Sequence, residues 1–228
     1  MGSSQKHSAR RRDPYEVARR RMVSEQLIPG GVRDERVLAA MTEVPRHLFV
    51  SPGMERQAYE DRPLPIGFGQ TISQPVMVGI MSAALETKGN ERILEIGTGS
   101  GYQAAILSRL VKELFTIERI LELSVNARKA IYRLEYNNIK LRVGDGTLGW
   151  KEEAPFDGII VTAGAPVVPE ALFRQLRDGG KLIVPVGGAD IQHLEVIENR
   201  GGEPVKKSVT ACRFVKLIGK EGWENEKG

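Results

Sequence analysis

The sequence has few of the residues from which disulfides and metal sites are built. Among 228 residues there is one cysteine, Cys212, so no disulfide can form within the chain and a reducing compartment is expected. The three histidines, His7, His47 and His193, are scattered along the chain and give none of the spacings typical of zinc sites. We therefore predict a cytoplasmic protein that uses no metal.

Long apolar runs and a basic recognition surface are also missing. No apolar run approaches the roughly 20 residues that span a bilayer, and residues 1–12 are polar and basic, unlike a secretory signal. The net charge is +4, with arginines at 10–12 and 19–21 but only Tyr15 between them. Nucleic-acid-binding surfaces interleave aromatic residues or carry a recognition motif. We predict a disordered basic tail, a single domain over 13–228, a monomer, and neither nucleic acid nor membrane as partner.

The N-terminal part of the chain predicts helices separated by a long loop. A surface helix over 14–27 ends at a Pro-Gly-Gly turn, and Asp34 caps a second helix that closes before Pro45. Residues 45–72 are rich in proline and glycine and lack a sustained period, which indicates an extended loop. A buried helix follows, with Ser73 at its N-cap and a proline in its first turn.

Beyond residue 90, short apolar strands alternate with amphipathic helices. Unbroken apolar strands are typical of a parallel sheet covered on both faces, so the pattern predicts an α/β fold with a doubly wound, mostly parallel sheet of the Rossmann-like type. The strands are expected at 92–96, 114–118, 139–143, 157–162 and 181–186, and the helices at 102–111, 119–135 and 169–177. Two more strands, 192–198 and 212–218, have no helix between them and are predicted to form an antiparallel pair.

Three alternating glycines, Gly97, Gly99 and Gly101, connect the first of these strands to its helix. In a doubly wound sheet this turn borders the ligand crevice, and glycine lets the backbone approach a ligand closely. From Gly97 the spacing is G-x-G-x-G, whereas Gly99 to Ala104 satisfies the dinucleotide pattern G-x-G-x-x-A. The spacing by itself leaves NAD and a nucleoside-type cofactor open.

Two carboxylates follow the next strands. Glu118 ends the second strand, at about the distance expected for a residue that accepts hydrogen bonds from ribose hydroxyls. Asp145 lies between Gly144 and Gly146 after the third strand. It could accept a hydrogen bond from an adenine amino group, and it is equally compatible with a plain turn.

The order of these motifs resembles a known family. LEIGTGSGYQAA (94–105), TIERI (116–120), VGDGTLGW (143–150) and FDGIIVTAGAP (156–166) resemble the class I S-adenosylmethionine-dependent methyltransferases. VPRHLFV (44–50), YEDRPLPIGFGQTISQPVMVGIM (59–81) and RFVKL (213–217) are more specifically similar to the protein-L-isoaspartate O-methyltransferases. The resemblance extends from about residue 15 to 219.

The resemblance implies S-adenosylmethionine as cofactor. In the family pattern, Gly97, Gly99 and Gly101 would line its methionine portion, Glu118 its ribose, and Asp145 with Gly146 its adenine. Thr71, Ile72 and Ser73 would lie on the loop that folds over cofactor and substrate, with Ser73 as the active-site serine. The isoaspartyl peptide would be held by Ile66, Gly67 and the backbone near Val215. One departure is Lys216, which replaces a proline that the family commonly has.

The implied activity is methyl transfer to the free α-carboxylate of L-isoaspartyl residues in damaged proteins, which initiates their repair. That carboxylate is already ionised at neutral pH, so no general base is required. We hypothesise that Ser73, or the helix that begins there, orients it. The alternatives are a methyltransferase acting on nucleic acid or a small molecule, an NAD-dependent oxidoreductase, and a binding module without turnover.

Overall fold

The computed structural model describes residues 13–224, and the predicted tail at 1–12 lies outside them. The helices are α1 (Glu16–Arg21), α2 (Glu35–Glu43), α3 (Pro75–Ala84), α4 (Tyr102–Ser108), α5 (Leu121–Arg133) and α6 (Glu170–Phe173). The strands are β1 (Leu64–Gly67), β2 (Gln70–Ile72), β3 (Arg92–Ile96), β4 (Glu113–Glu118), β5 (Ile139–Val143), β6 (Phe156–Val161), β7 (Leu176–Gly187), β8 (Gln192–Arg200) and β9 (Glu203–Cys212). Within the described range, no helix has the length and apolarity needed to cross a membrane.

A seven-stranded sheet in the order β5-β4-β3-β6-β7-β8-β9 organises the chain. The first five strands in that order run parallel, and β8 and β9 return antiparallel to their neighbours. The predicted doubly wound, mostly parallel sheet with antiparallel C-terminal strands is confirmed. Because β3 pairs with β4 on one side and β6 on the other, the strand order reverses there, and the carboxyl ends of these strands border a crevice.

Alternation along the central strands divides the core between the two faces of the sheet. Ile93 of β3 belongs to the cluster that packs against the N-terminal helices, whereas its neighbour Leu94 belongs to the cluster on the other face. Leu114 and Phe115 of β4 divide in the same way. Since both faces are covered, consecutive residues of each strand are buried, so these strands are mainly apolar and do not alternate in polarity.

The N-terminal helices differ in part from prediction. Asp34 caps α2 as expected, accepting hydrogen bonds from the backbone N–H groups of Arg36 and Val37. The surface helix predicted over 14–27 is α1 followed by a π-helical segment, Met22–Leu27, whose apolar side chains are buried in the core. The extended loop predicted over 45–72 was wrong in its last third, where β1 and β2 form an antiparallel hairpin.

Ser73 does not cap α3, which corrects the sequence prediction. The N-cap is Gln74, and its side chain makes no capping hydrogen bond. Asp61 performs this function from a distant part of the chain: its carboxylate accepts a hydrogen bond from the Val76 backbone N–H at 3.0 Å and one from Gln74 Nε2 at 3.3 Å. A carboxylate is favoured at a helix N-terminus because it complements the free N–H groups there.

The C-terminal strands also differ from prediction. The predicted strand 212–218 was wrong: the partner of β8 is β9, reached through a Gly201-Gly202 turn, and residues 213–218 make only isolated bridges. The helix predicted over 169–177 is shortened to α6, because β7 begins at Leu176. The helices predicted at 102–111 and 119–135 end within three residues of α4 and α5.

Candidate functional site

The main cleft lies where the carboxyl ends of β3, β4 and β6 meet, and it encloses ≈ 570 Å³, part of it open to solvent. It is lined by Gln70, Thr71, Ile96, Gly97, Gly99, Ile117, Glu118, Arg119, Ile120, Gly146, Thr162, Ala163, Val215, Lys216, Leu217 and Ile218. Five of these belong to the set that the resemblance implies for cofactor and loop: Thr71, Gly97, Gly99, Glu118 and Gly146.

Gly97 is the position at which the turn requires glycine. Its φ is +94°, and a Cβ there would lie 2.5 Å from Oγ1 of Thr162. That hydroxyl in turn donates to the Gly97 carbonyl at 2.6 Å and the Ile96 carbonyl at 3.0 Å. The positive φ disfavours any residue with a side chain, and Thr162 leaves no room for a Cβ. Only glycine therefore fits at this position, and the cleft is bordered by its backbone.

Glu118 fixes the second glycine of the loop. One carboxylate oxygen accepts a hydrogen bond from the Gly99 N–H at 2.8 Å, and the other accepts one from the Ile120 N–H at 2.9 Å. The side chain is buried, yet it lines the cleft. An ionised carboxylate offers about four acceptor sites, so two backbone donors leave capacity for vicinal hydroxyl groups of a ligand.

A second carboxylate, Glu95, lies in β3 and is completely buried. One of its oxygens accepts a hydrogen bond from Oγ1 of Thr116 at 2.5 Å, and the other has no partner within residues 13–224. Burial raises the pKa of Glu95 to about 8, and the neighbouring charge of Glu118 contributes in the same direction. Glu95 is therefore mainly protonated at neutral pH.

Asp145 and Gly146 are adjacent in sequence, but only Gly146 lines the main cleft. Gly146 lines the cleft, and a Cβ there would lie 2.5 Å from Ile96. The Asp145 carboxylate accepts hydrogen bonds from the N–H and hydroxyl of Thr147 and, at 2.8 Å, from the backbone N–H of Lys220. Asp145 does not line the main cleft; it holds the C-terminal segment against it. Its predicted contact with adenine stays a prediction.

Two smaller cavities adjoin the main cleft, and both contain Thr71 and Ser73. The side cavity is lined by Thr71, Ile72, Ser73, Val78, Gly97, Thr98, Gly99, Ser100, Tyr102, Gln103 and Thr162. The outer groove is lined by Pro63, Thr71, Ser73, Gln74, Met77, Thr162, Ala211, Cys212, Arg213, Phe214 and Val215. Ser73 thus lies between the glycine loop and a groove that opens to the surface.

The C-terminal segment closes one side of the main cleft through its backbone. The Val215 carbonyl accepts a hydrogen bond from the Gly164 N–H at 2.8 Å, and the Leu217 N–H donates to the Gly164 carbonyl at 2.8 Å. The Lys216 ammonium lies 5.5 Å from the centre of the Trp223 ring. These backbone bonds hold the segment without the proline that the family commonly has at 216.

The remaining predicted residues lie around this site. Ile66 lines a separate cavity with Gly99 and Ser100, on the other side of the loop. Gly101 caps α4 with φ +88°, and a Cβ there would press on Ala127 of α5, so this glycine serves helix packing. Gly67, in the hairpin, lines none of the cavities described here.

Sequence reasoning missed Thr162, which lines the main cleft, the side cavity and the outer groove. A signal was available: Thr162 directly follows β6, whose carboxyl end borders the crevice beside β3. Arg119 and Ile120 were missed as well, although they follow Glu118 directly at the end of β4.

A doubly wound sheet with an antiparallel extension, whose glycine loop and strand-end carboxylate border one cleft, has the fold of the class I methyltransferases. More particularly, the family model described as "Protein-L-isoaspartate(D-aspartate) O-methyltransferase (PCMT)" matches residues 18–222. The chain belongs to this family, which confirms the resemblance noted in the sequence.

Named relatives agree with the family match. The chain is 54% identical over 213 residues to protein-L-isoaspartate O-methyltransferase of Geobacter metallireducens, covering 93% of this chain and 99% of that protein. It is 51% identical over 214 residues to the protein of the same name from Syntrophus aciditrophicus, covering 92% and 98%.

Solved structures of the family superpose on the fold. A protein-L-isoaspartate O-methyltransferase has a TM-score of 0.80 and 29% identity, covering 89% of this chain and 67% of that one. A Plasmodium falciparum structure assigned to the same family, in complex with S-adenosyl-L-homocysteine, has a TM-score of 0.75 and 26% identity, covering 88% and 98%.

The residues of the main cleft fit an adenosine-containing cofactor. The Gly97 backbone can approach a ligand closely, and Glu118 offers acceptors for hydroxyl groups. Ile117, Ile120 and Leu217 contribute apolar surface on which a planar base can pack. S-adenosylmethionine, the cofactor that the family membership indicates, is therefore compatible with this chain's own side chains.

Proposed function

We propose that this protein transfers a methyl group from S-adenosylmethionine to the free α-carboxylate of L-isoaspartyl residues in damaged proteins and peptides, and so initiates their repair. Family membership over residues 18–222 carries the proposal. The arrangement of cavities supports it, because a cofactor-sized cleft and a surface groove share Thr71, Thr162 and Val215. A large substrate can thus reach the cofactor from outside.

We assign the cofactor to the main cleft. Gly97 and Gly99 would contact the methionine portion through their backbone, Glu118 the ribose hydroxyls, and Gly146 the adenine. When bound, S-adenosylmethionine supplies a methyl group on a positively charged sulfur, and this group passes to a carboxylate oxygen as the carbon–sulfur bond breaks.

We assign the isoaspartyl peptide to the outer groove and the side cavity. Thr71, Ile72 and Ser73 would form the covering segment, and Val215 would hold the peptide backbone. Ile66 and Gly67 of the hairpin line neither cavity, so their contact with the peptide stays a prediction. Burial between this segment and the glycine loop would exclude water and align the reacting groups. Alignment is expected to supply most of the rate, because the substrate carboxylate needs no base to ionise it.

Ser73 is proposed to orient the substrate carboxylate. Asp61 performs the helix-capping function, and the Ser73 hydroxyl makes no hydrogen bond to another described residue. Ser73 lines both the side cavity and the outer groove. Because Ser73 does not cap α3, its hydroxyl is available to donate a hydrogen bond to an anion there.

The decisive assay uses radiolabelled S-adenosylmethionine and two peptides that differ only in an isoaspartyl or an ordinary aspartyl linkage. We expect base-labile methyl incorporation into the isoaspartyl peptide alone. Equal labelling of both peptides would overturn the substrate assignment. Calorimetric titration with S-adenosylmethionine and with NADH separates cofactor failure from substrate failure, because an oxidoreductase would bind only the second.

We further propose that the protein acts as a monomer in the cytoplasm and has no nucleic-acid partner. Light scattering at micromolar concentrations is expected to give the mass of one chain. Added duplex DNA or RNA should neither bind at physiological salt nor become labelled in the methyl-transfer assay. A dimeric mass, or labelled nucleic acid, would contradict the respective part of this proposal.

A further inference from the structure

Arg46 is a buried cation close to the proposed site. It begins a 3-10 turn, Arg46–Leu48, and is 0% exposed. Its Nε donates to the Ala58 carbonyl at 2.7 Å, and its Nη2 donates to the Ser73 carbonyl at 2.7 Å. No carboxylate between residues 13 and 224 forms an ion pair with it. One side chain therefore ties three separate segments together.

The same guanidinium contacts the glycine loop. Its central carbon lies 4.7 Å from the centre of the Tyr102 ring, and Tyr102 is the residue that follows Gly101. Tyr102 and Ser73 both line the side cavity. Arg46 thus holds two lining residues of that cavity, one through a peptide carbonyl and the other through an aromatic face.

Packing does not account for this arrangement. Nη1 of Arg46 and the hydroxyl of Tyr102 are both buried, and neither makes a hydrogen bond of good geometry to a described residue, although the two side chains interact with each other. Leaving a charged group buried and incompletely paired is costly, and an apolar side chain would fill the same space without that cost. Burial accordingly lowers the pKa of Arg46. Groups of this kind are rare in folded proteins and call for a functional reason.

We propose that Arg46 is a positioning residue for methyl transfer, which fixes the Ser73 carbonyl and the Tyr102 ring and thereby sets where the Ser73 hydroxyl points. The inference rests on the proposed function, since Ser73 matters only if substrate binds beside it. Arg46 itself touches neither ligand in this account. Its loss should therefore reduce turnover and leave cofactor binding in the main cleft intact.

The test compares Arg46→Lys and Arg46→Met in the full chain, with kcat, KM for the isoaspartyl peptide, cofactor affinity by calorimetry and Tm measured for each. A misplacement of about 1 Å can cost about a hundredfold in rate. We expect Arg46→Lys to lower kcat by about tenfold and Arg46→Met by about a hundredfold, with cofactor affinity changed by less than about twofold. Arg46→Lys, which keeps the charge, is the variant to use if Arg46→Met fails to fold.

A double-mutant cycle with Ser73→Ala, measured in kcat, distinguishes a positioning role of Arg46 from a merely structural one. If Arg46 acts through Ser73, the reductions in kcat caused by Arg46→Lys and Ser73→Ala will be non-additive. Arg36→Met is the matched control, because Arg36 also donates to the backbone carbonyls of two distant residues, Thr87 and Leu110, but lines no part of the site. It should lower Tm and leave kcat unchanged.

The outcomes are distinguishable. A lowered Tm with unchanged kcat for Arg46→Lys, or additive effects in the cycle, would overturn the positioning role while the proposed function stands. A wild-type protein that binds S-adenosylmethionine but does not label the isoaspartyl peptide would instead overturn the proposed function, and this inference with it.

Discussion

The main cleft lies between two regions that are held in different ways. On one side is the sheet wall: the carboxyl ends of β3, β4 and β6 with the turns that follow them. On the other is the cover: residues 45–74 together with the C-terminal segment 213–219. The sheet wall is fixed by parallel ladders and buried side chains. The cover, apart from the β1–β2 hairpin, is irregular and is held by backbone bonds to Gly164 and by side chains such as Asp61 and Arg46.

The difference predicts how each region tolerates change. In the sheet wall a substitution disturbs buried, close-packed groups, so both stability and cofactor binding should respond strongly. In the cover, replacing a polar anchor such as Asp61 removes one or two hydrogen bonds and leaves the packed side chains in place, so stability should change less. The predictions below test this contrast, beginning with the largest expected effect.

The free energy of unfolding should depend on pH because of Glu95, which lies in the sheet wall. Its folded-state pKa is raised from 4.5 to about 8, so the folded protein retains a proton that the unfolded chain releases. The stability associated with this group is complete below pH 4.5 and is lost as pH rises towards 8. From about pH 5 to 8 the loss should amount to about 3–4 kcal/mol. Urea denaturation of the wild type and Glu95→Gln measures it.

Glu95→Gln should remove this slope, because the amide does not titrate. The exposed Glu122→Gln in α5 is a surface control that should keep the wild-type profile. If Glu95→Gln shows the same decline between pH 5 and 8 as the wild type, the buried carboxyl is not its source.

The next largest effect should come from Glu118. Glu118→Ala leaves the N–H groups of Gly99 and Ile120 without their acceptor and removes the proposed ribose contact. We expect cofactor affinity to fall by about a hundredfold or more, since charge-assisted hydrogen bonds contribute about 1.5–3 kcal/mol each. Calorimetry with S-adenosylmethionine measures the loss. Glu118→Gln, which keeps the shape and one acceptor, should bind about tenfold more tightly than the alanine variant; an alanine variant with wild-type affinity would contradict the importance of the carboxylate.

In the cover, Asp61 and Ser73 should separate stability from activity. Asp61→Ala removes the carboxylate from the N-terminus of α3 and should lower the free energy of unfolding by about 1 kcal/mol, as for other helix caps. Ser73→Ala should leave that free energy within about 0.5 kcal/mol but lower kcat for the isoaspartyl peptide. Chemical denaturation and steady-state kinetics on both variants test the pair. A destabilised Ser73→Ala with normal turnover would overturn the proposed role of Ser73 in orienting the substrate carboxylate.

The smallest effect concerns the hairpin tip. Phe68 has φ +54° and is 55% exposed, so a bulky residue occupies a left-handed conformation without a compensating buried contact. Asparagine tolerates this conformation better. Phe68→Asn should therefore raise the free energy of unfolding by about 0.5–1 kcal/mol. Denaturation by urea is the measurement, and a loss of stability would show that the Phe68 ring makes contacts that offset its backbone strain.

The regular part of the fold could be predicted closely from the sequence. The bounds of β3 and β5 match the predicted 92–96 and 139–143. The central strand β3 is a short buried apolar run, whereas the edge strand β5 alternates apolar and charged residues, and both patterns are typical of strands. The sequence did not predict β9, because nearly all of its side chains are exposed and it shows no apolar pattern. It forms because it pairs with β8. An edge strand that packs on neither face has no apolar signature.

The sequence by itself determined the glycine turn, the strand-end carboxylate Glu118 and the family, because these depend on residue types within a few positions of one another. Only the tertiary structure decided that Asp61 caps a helix 15 positions away and that Arg46 holds Ser73, 27 positions away. It also decided that Asp145 anchors the C-terminal segment instead of lining the cleft. Such contacts depend on how distant segments pack together, and no local period or spacing encodes that packing.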